Sequence, residues 1–269
     1  THIFHISGQA IVPRAFSDPA LTFDSNVTST FSVLEASRQA NNVEKVCIVT
    51  SDKVYKNENK NKRFTEEDVL AGKDIYSTSK VICEHLAECY RKIHFKKSKI
   101  VEVVRLGNVV GGGDYSVNRL LPDLIRSYLN KNTFEVRYPQ ATRPFQHVID
   151  VANGIYSILM NNTKHKEENY LGDCWNLGPK NNTVMVVGDV IKLFTKVFHL
   201  DDIQPRKNTI PEDILLAVDN TKYKDIFGNP KHDSEEAIIK AIEWYKKVHQ
   251  DNKSPWDLTL EEVKSFLEI

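Results

Sequence analysis

The chain has 269 residues, 41% of them apolar, and 36 Lys+Arg against 36 Asp+Glu, for a net charge of zero. That is enough for one large domain or two modest ones around a real core. The balance gives no basis for a nucleic-acid patch or for attraction to an anionic membrane surface, and no stretch is long and apolar enough for a membrane-spanning helix. The four cysteines, Cys47, Cys83, Cys89 and Cys174, form no CxxC pair and no disulfide framework, which predicts a reducing, cytoplasmic setting. Cys47 lies in an apolar run and reads as core; Cys83 and Cys89 read as packing residues of one helix. No metal site is expected.

Residues 3–6 make a short strand candidate, with no basic region or apolar run of signal-peptide length around it. Asp18-Pro19 opens a helix, with Asp18 as N-cap and Pro19 at the first helical position. Phe23, Val27, Phe31 and Leu34 recur at helical spacing and predict one buried face. Val46-Cys47-Ile48-Val49 is a continuous apolar run, the pattern of a parallel strand covered on both faces. Residues 56–68 are a polar loop, and 77–93 a helix with Val81, Ile82, Leu86 and Tyr90 apolar. The charge run Lys96-Lys97-Ser98-Lys99 reads as a solvated turn before a strand at 100–106. Gly107-Asn108-Val109-Val110-Gly111-Gly112-Gly113-Asp114 follows as a loop. Helices are expected at 119–129, 148–160, 189–198 and 234–249, and short strands at 134–138, 175–177 and 184–187. Residues 251–255 suggest a linker to a terminal helix, with Thr259-Leu260-Glu261-Glu262 at capping-box spacing for its start. Strands alternate with helices, so the fold class is α/β with a mostly parallel sheet.

Tyr76 and Lys80 stand at i and i+4, which puts them on the same face of a helix. A phenol with a pKa near ~10 is a poor base at neutral pH, and a neighbouring ammonium favours its ionised form. Tyr-xxx-Lys alone also arises by chance on ordinary amphipathic helices. Thr50-Ser51-Asp52-Lys53 adds weight, because it directly follows a buried strand, and open α/β sheets bind ligands at the carboxyl ends of their strands. A phenol, two amines, a carboxylate and a hydroxyl are the groups needed to oxidise a sugar alcohol, move a neighbouring proton and expel water.

With these motifs in place, the sequence resembles the extended short-chain dehydrogenase/reductases that act on nucleotide sugars, from Thr1 to about Tyr245. His5-Ile6-Ser7-Gly8-Gln9 resembles their strand-end His-Leu-Ala-Ala-Gln, and Asp18-Pro19, Thr22-Phe23 and Asn26-Val27 match the next helix. Thr50-Ser51-Asp52-Lys53 matches the catalytic strand end, where dTDP-glucose dehydratases carry Glu in place of Lys53. Gly107-Asn108-Val109 with Gly111-Gly112-Gly113-Asp114 matches the substrate loop. Arg143-Pro144-Phe145-Gln146-His147-Val148 resembles Arg-Pro-Trp-Gln-His-Val. Lys53 together with 143–148 points to the 4,6-dehydratases of CDP-sugars, which implies CDP-glucose as substrate and NAD as cofactor.

The resemblance implies roles. Tyr76 would take the proton from the sugar 4-hydroxyl, Ser51 would hydrogen-bond that oxygen, and Lys80 would hold the cofactor ribose. Lys53 would remove the C5 proton, which requires an amine pKa well below its usual ~10.4. Asp52 would protonate the departing 6-hydroxyl. Ser7, Gly8 and Gln9, with Tyr76 and Lys80, would line the cofactor. Arg143 would clamp the diphosphate, since a guanidinium fork suits phosphate. Asn108, Arg119 and Leu120 would position the nucleotide, and each of these four also admits a structural role. His147 either touches the nucleotide or packs beside Asp150. His5 reads as a structural strand residue, and Asn176 as a further group that could face substrate.

Relative to that family, the chain shows no Gly-x-x-Gly-x-x-Gly loop, whose glycines let the backbone approach a pyrophosphate at a helix N-terminus. Its first strand matches the family's fourth. The expectation is therefore a Rossmann-like sheet without its N-terminal strands, in a fragment or a truncated relative, with weak or no NAD binding and little activity alone. Ser7-Gly8 replaces Ala-Ala, Pro13 stands in place of Arg, and Ile75 precedes the tyrosine in place of Pro. Expected divisions are a partial NAD-binding part at 1–106, rejoined by 139–160, a smaller nucleotide-sugar-binding α/β part at 107–250, and a linker with terminal helix at 251–269. A homodimer through a four-helix bundle is expected by analogy. The rival readings are a nucleotide-sugar epimerase or reductase and a non-catalytic binding or dimerisation scaffold.

Overall fold

The computed structural model describes residues 1–95, 98–161, 170–200, 203–205 and 212–268; Lys96 and Lys97 of the charge run lie outside them. In chain order, β1 (His2–His5) leads through α1 (Val12–Ser17) to α2 (Pro19–Phe23), which continues through a π-helical turn (Asp24–Thr28) into α3 (Ser29–Gln39). β2 (Lys45–Ser51) ends in a 3₁₀ turn (Asp52–Val54), and α4 (Ile75–Cys89) precedes β3 (Ile100–Leu106). There follow β4 (Asn108–Val110), α5 (Leu120–Asn130), β5 (Phe134–Val136), β6 (Thr142–Arg143), β7 (Phe145–His147) and α6 (Val148–Met160). The chain continues with β8 (Cys174–Leu177), β9 (Met185–Val186), α7 (Val187–Phe198) and β10 (Ile203–Pro205). It closes with α8 (Thr221–Phe227), α9 (Ser234–His249) and α10 (Pro255–Leu267).

Two compact units emerge: Thr1–Gly107 with Asn153–Leu177 and Val218–Gly228, and Asn108–Ala152 with Gly178–Ala217 and Asn229–Ile269. The first holds a parallel sheet in the order β1-β2-β3-β8. All seven residues of β2 are buried, as its unbroken apolar run requires of a covered parallel strand. Leu34, Val46, Ile48, Ala87, Phe95, Val101 and Val103 form the core on one side of the sheet. The second unit packs α5, α7 and α9 around Leu124, Ile125, Phe194, Ile238 and Tyr245. Its strands pair as short ribbons, β4 with β7 and β5 with β10 in parallel, β6 with β9 antiparallel. Trp244 seats its ring against Gly112, where a Cβ would fall 2.1 Å from the indole. A side chain there would displace the tryptophan from the core.

Several expectations need correction. Val27 and Leu34 are buried, but Phe23 and Phe31 are 48% and 46% exposed. The π turn adds a residue to one helical turn and rotates the stripe. The face that packs inward carries Thr22, Asn26, Thr30, Leu34 and Ser37, mostly polar groups with partners. α10 starts at Pro255 behind the N-cap Ser254, whose Oγ accepts from Asp257 N–H at 3.3 Å. Thr259 lies inside the helix, its hydroxyl donating to Pro255 O at 2.8 Å; Ser-Pro supplies both the cap and the first position five residues earlier. Lys99 is buried rather than solvated, its ammonium donating to Ala40 O at 2.5 Å and Val43 O at 3.2 Å. Cys89 is exposed, while Cys47 and Cys83 are buried.

Candidate active site

The last residue of β2 organises the turn that follows it. Ser51 Oγ donates to Asp52 Oδ1 at 3.1 Å and accepts from the Lys53 N–H at 3.2 Å. One hydroxyl thus fixes the carboxylate of the next residue and the backbone of the one after. Asp52 is 3% exposed, while the Lys53 side chain begins in a partly open position.

α4 brings the second half of the set. Asp74 caps it, accepting from Ser77 N–H at 2.9 Å, and Ser77 Oγ accepts from Asp74 N–H at 3.0 Å. This reciprocal cap fixes the start of the helix, so Tyr76 falls in the first turn and Lys80 one turn on. Both are buried, at 7% exposure each. Lys80 Nζ donates to Val49 O at 3.1 Å, which ties the helix to β2 two residues before Ser51. Burial pushes the Lys80 pKa down, while Cys83 and Glu84 work to raise it.

Past the end of β1, Gly8 lies beside the same ammonium. A Cβ on Gly8 would fall 2.7 Å from Asn26 Oδ1 and 3.4 Å from Lys80 Nζ. Asn26, on the π turn, accepts from Gln9 N–H at 2.8 Å and donates to Gln9 O at 3.1 Å and Ser79 Oγ at 2.9 Å. Ser79 in turn donates to Tyr76 O at 2.7 Å. Asn26 thus joins the chain after β1 to the turn of α4 that carries Tyr76, a link that sequence reasoning missed. Ser7 Oγ lies 3.2 Å from His5 Nδ1, and His5 Nε2 lies 3.0 Å from Thr30 Oγ1. His5 is buried, and burial together with the Lys80 charge lowers its pKa.

A buried ion pair backs this arrangement. Glu84, one turn beyond Lys80, accepts from Thr50 Oγ1 at 2.7 Å and from Arg105 Nε and Nη2 at 3.0 and 2.5 Å. Both charged side chains are 4% exposed. Burial works against the Arg105 charge, but Glu84 outweighs it and raises the Arg105 pKa. Arg105 also donates to Tyr55 Oη at 2.9 Å and Glu66 O at 3.1 Å. Asn176 belongs to the same network rather than facing substrate. It is fully buried, accepts from Tyr55 Oη at 2.6 Å, and donates to Phe64 O and Asp219 O at 2.8 and 3.1 Å. The sequence signal for this pair was a charge within the apolar run of β3, Arg105, and an acid one turn beyond Lys80 on α4, Glu84.

Ser7, Gly8, Gln9, Ser51, Asp52, Lys53, Tyr76 and Lys80 all lie in the first unit, and Asn108, Arg119, Leu120, Arg143 and His147 in the second. Asn108 opens β4, in a stretch read from sequence as loop. Arg119 is the N-cap residue of α5, 3.8 Å from Asp114, and Leu120 is that helix's first residue. Arg143 is buried on β6. Its Nη1 donates to Thr142 O at 2.8 Å and its Nη2 to Glu212 at 3.4 Å, and Glu212 also pairs with Arg137 at 3.0 Å. His147 ends β7, 1% exposed, with its ring centroid 5.1 Å from that of His232.

A parallel sheet with polar residues gathered at the carboxyl end of a buried strand is the arrangement of Rossmann-type α/β enzymes. The chain belongs to the NAD dependent epimerase/dehydratase family, whose sequence model matches residues 1–178. It is 29% identical over 253 residues to the CDP-glucose 4,6-dehydratase of Salmonella typhimurium, covering 91% of this chain and 70% of that protein. Its fold matches the dTDP-glucose 4,6-dehydratase DesIV of Streptomyces venezuelae, solved with NAD, at a TM-score of 0.79 and 18% identity, over 91% of this chain and 73% of that one. It matches UDP-glucuronic acid 4-epimerase from Bacillus cereus, solved with UDP-glucuronic acid and NAD, at 0.80 and 18%, over 92% and 76%. The family is NAD-dependent. The donor chemistry of Lys80 fits the ribose hydroxyls of that cofactor, since its ammonium gives one proton to Val49 O and has others to donate. The described residues supply no glycine-rich loop for its pyrophosphate.

Proposed function

We propose that this chain carries the catalytic residues of a CDP-glucose 4,6-dehydratase. The observation that supports this most is the Ser51–Asp52–Lys53 turn, in which one hydroxyl holds the Asp52 carboxylate and the Lys53 backbone N–H, in the unit that also holds Tyr76 and Lys80. NAD, when bound, supplies the acceptor and later the donor of hydride. Tyr76 takes the proton of the sugar 4-hydroxyl while Ser51 hydrogen-bonds that oxygen. The resulting 4-ketone acidifies the C5 proton, and Lys53, with its amine neutral, removes it. Asp52 protonates the 6-hydroxyl, which leaves as water. Return of hydride to C6 and of a proton to C5 gives the 4-keto-6-deoxy sugar, and the sequence is redox-neutral overall. In the second unit, Arg143 with Asn108, Arg119 and Leu120 would hold the nucleotide diphosphate. We leave His147 out of that set, because it is buried beside His232.

The full-length protein, incubated with CDP-glucose and NAD, should yield a 4-keto product that absorbs in alkali. Its absence would reject the dehydratase, and the appearance of an isomeric CDP-hexose in its place would favour an epimerase. A Lys53→Ala variant should oxidise the sugar yet exchange no C5 proton with solvent. Normal exchange at C5 would remove Lys53 as the base.

We also propose a homodimer through the α2–α3 and α4 helices. Phe23 and Phe31, and Ile93 just past α4 at 61% exposure, leave apolar surface on these elements. Light scattering should give twice the chain mass for the protein and a smaller mass for Phe31→Glu; a monomer before mutation would end the idea.

A further inference from the structure

In the second unit, the end of β7, the residues leading into α9 and one side of α10 line a cavity of ≈ 150 Å³. His147, Lys231, His232, Lys240, Glu262 and Phe266 are its principal walls. His147 Nδ1 accepts from the Ile149 N–H at 3.4 Å, which leaves the ring proton on Nε2. That Nε2 is buried and has no hydrogen-bond partner among the described residues. A buried N–H without an acceptor carries a free-energy penalty that a ligand acceptor would remove.

The nearby carboxylate cannot serve it. Asp150 already accepts from the backbone N–H groups of Lys231 and His232 at 2.8 and 3.1 Å, and pairs with His232 Nδ1 at 2.7 Å. Lys231 donates to Phe266 O at 2.6 Å and to Glu268 at 3.1 Å, which engages two of its three ammonium protons. Lys231 and Lys240 bring positive charge to the cavity wall and Glu262 faces them, while Asp150 and Glu268 are already paired with His232 and Lys231. Burial raises the pKa of Glu262.

We propose that this cavity binds a small oxyanion, a phosphate or carboxylate that is free or borne by a metabolite, with His147 Nε2–H and the Lys240 ammonium as its donors. The proposal does not depend on the dehydratase reading.

The test needs neither NAD nor CDP-glucose. Inorganic phosphate is titrated at constant ionic strength while the ring Cε1–H signals of His147 and His232 are followed by NMR. Both should shift saturably, and Lys240→Gln should raise Kd about tenfold or more, the loss of one charge-assisted hydrogen bond. Acetate and a sugar monophosphate form parallel arms. Tightest binding by the monophosphate assigns a metabolite, and equal binding by inorganic phosphate assigns the free ion. Signals that do not move, or that drift without saturation and equally in Lys240→Gln, overturn the proposal. Displacement of the phosphate by CDP would also overturn it, since the cavity would then belong to the nucleotide site. Lys240 is a partly exposed side chain of α9, so its variant should fold even if substitution of His147 does not.

Discussion

Glu84→Gln should lower the unfolding free energy by about 3–5 kcal/mol, the cost of leaving one charge of a buried pair uncompensated. Arg105 would keep its charge at 4% exposure with a neutral amide in place of its partner. The drop should appear as a lower urea midpoint at unchanged slope. Glu84→Gln combined with Arg105→Met should recover part of the loss, because no unpaired charge then remains inside. A single-variant loss below about 1 kcal/mol, the range of exposed pairs, would show that water reaches the pair. The pair matters to the chemistry as well as to stability. Glu84 holds both Thr50, next to Ser51 in the chain, and the turn of α4 after Lys80, and it is one of the groups that oppose the effect of burial on the Lys80 pKa.

The second large effect concerns turnover. On the dehydratase reading, Tyr76→Phe removes the group that takes the 4-hydroxyl proton, and kcat should fall about 10²–10⁴-fold. Ser79 and Asn26 reach this turn through the Tyr76 carbonyl, which the substitution keeps, so the urea midpoint should move little. A fall of less than about tenfold would move the proton-transfer role to another residue.

Where period and burial coincide, the sequence was easy to read. β3, α6 and α9 have the expected limits, because a covered strand or an amphipathic helix shows its packing in its apolar spacing. The α2–α3 face was not legible, because its inward positions are Thr22, Asn26, Thr30 and Ser37, whose burial depends on hydrogen-bond partners distant in sequence. β4 was hidden for a different reason. Three residues between glycines carry no period, and the strand exists because Asn108, Val109 and Val110 meet Phe145, Gln146 and His147. Lys99 was misread because a long aliphatic stem can be buried while its ammonium ends on backbone carbonyls. At the candidate site, motif spacing marked Ser51, Asp52, Lys53, Tyr76 and Lys80, but the residues that hold them, Asn26, Glu84 and Arg105, have no motif of their own.

The cap of α4 has an electrostatic effect that no side chain provides. Asp74 starts the helix so that Tyr76 is its second residue, and helical side chains lean back toward the N-terminus. The phenol is thereby directed toward the end where the aligned peptide dipoles of a 15-residue helix sum to a partial positive charge. Negative charge developing on its oxygen would be favoured by the backbone itself, in addition to the Lys80 ammonium. A helix begun one turn earlier would keep the Tyr76–Lys80 spacing and both hydrogen-bonding groups, yet lose that contribution.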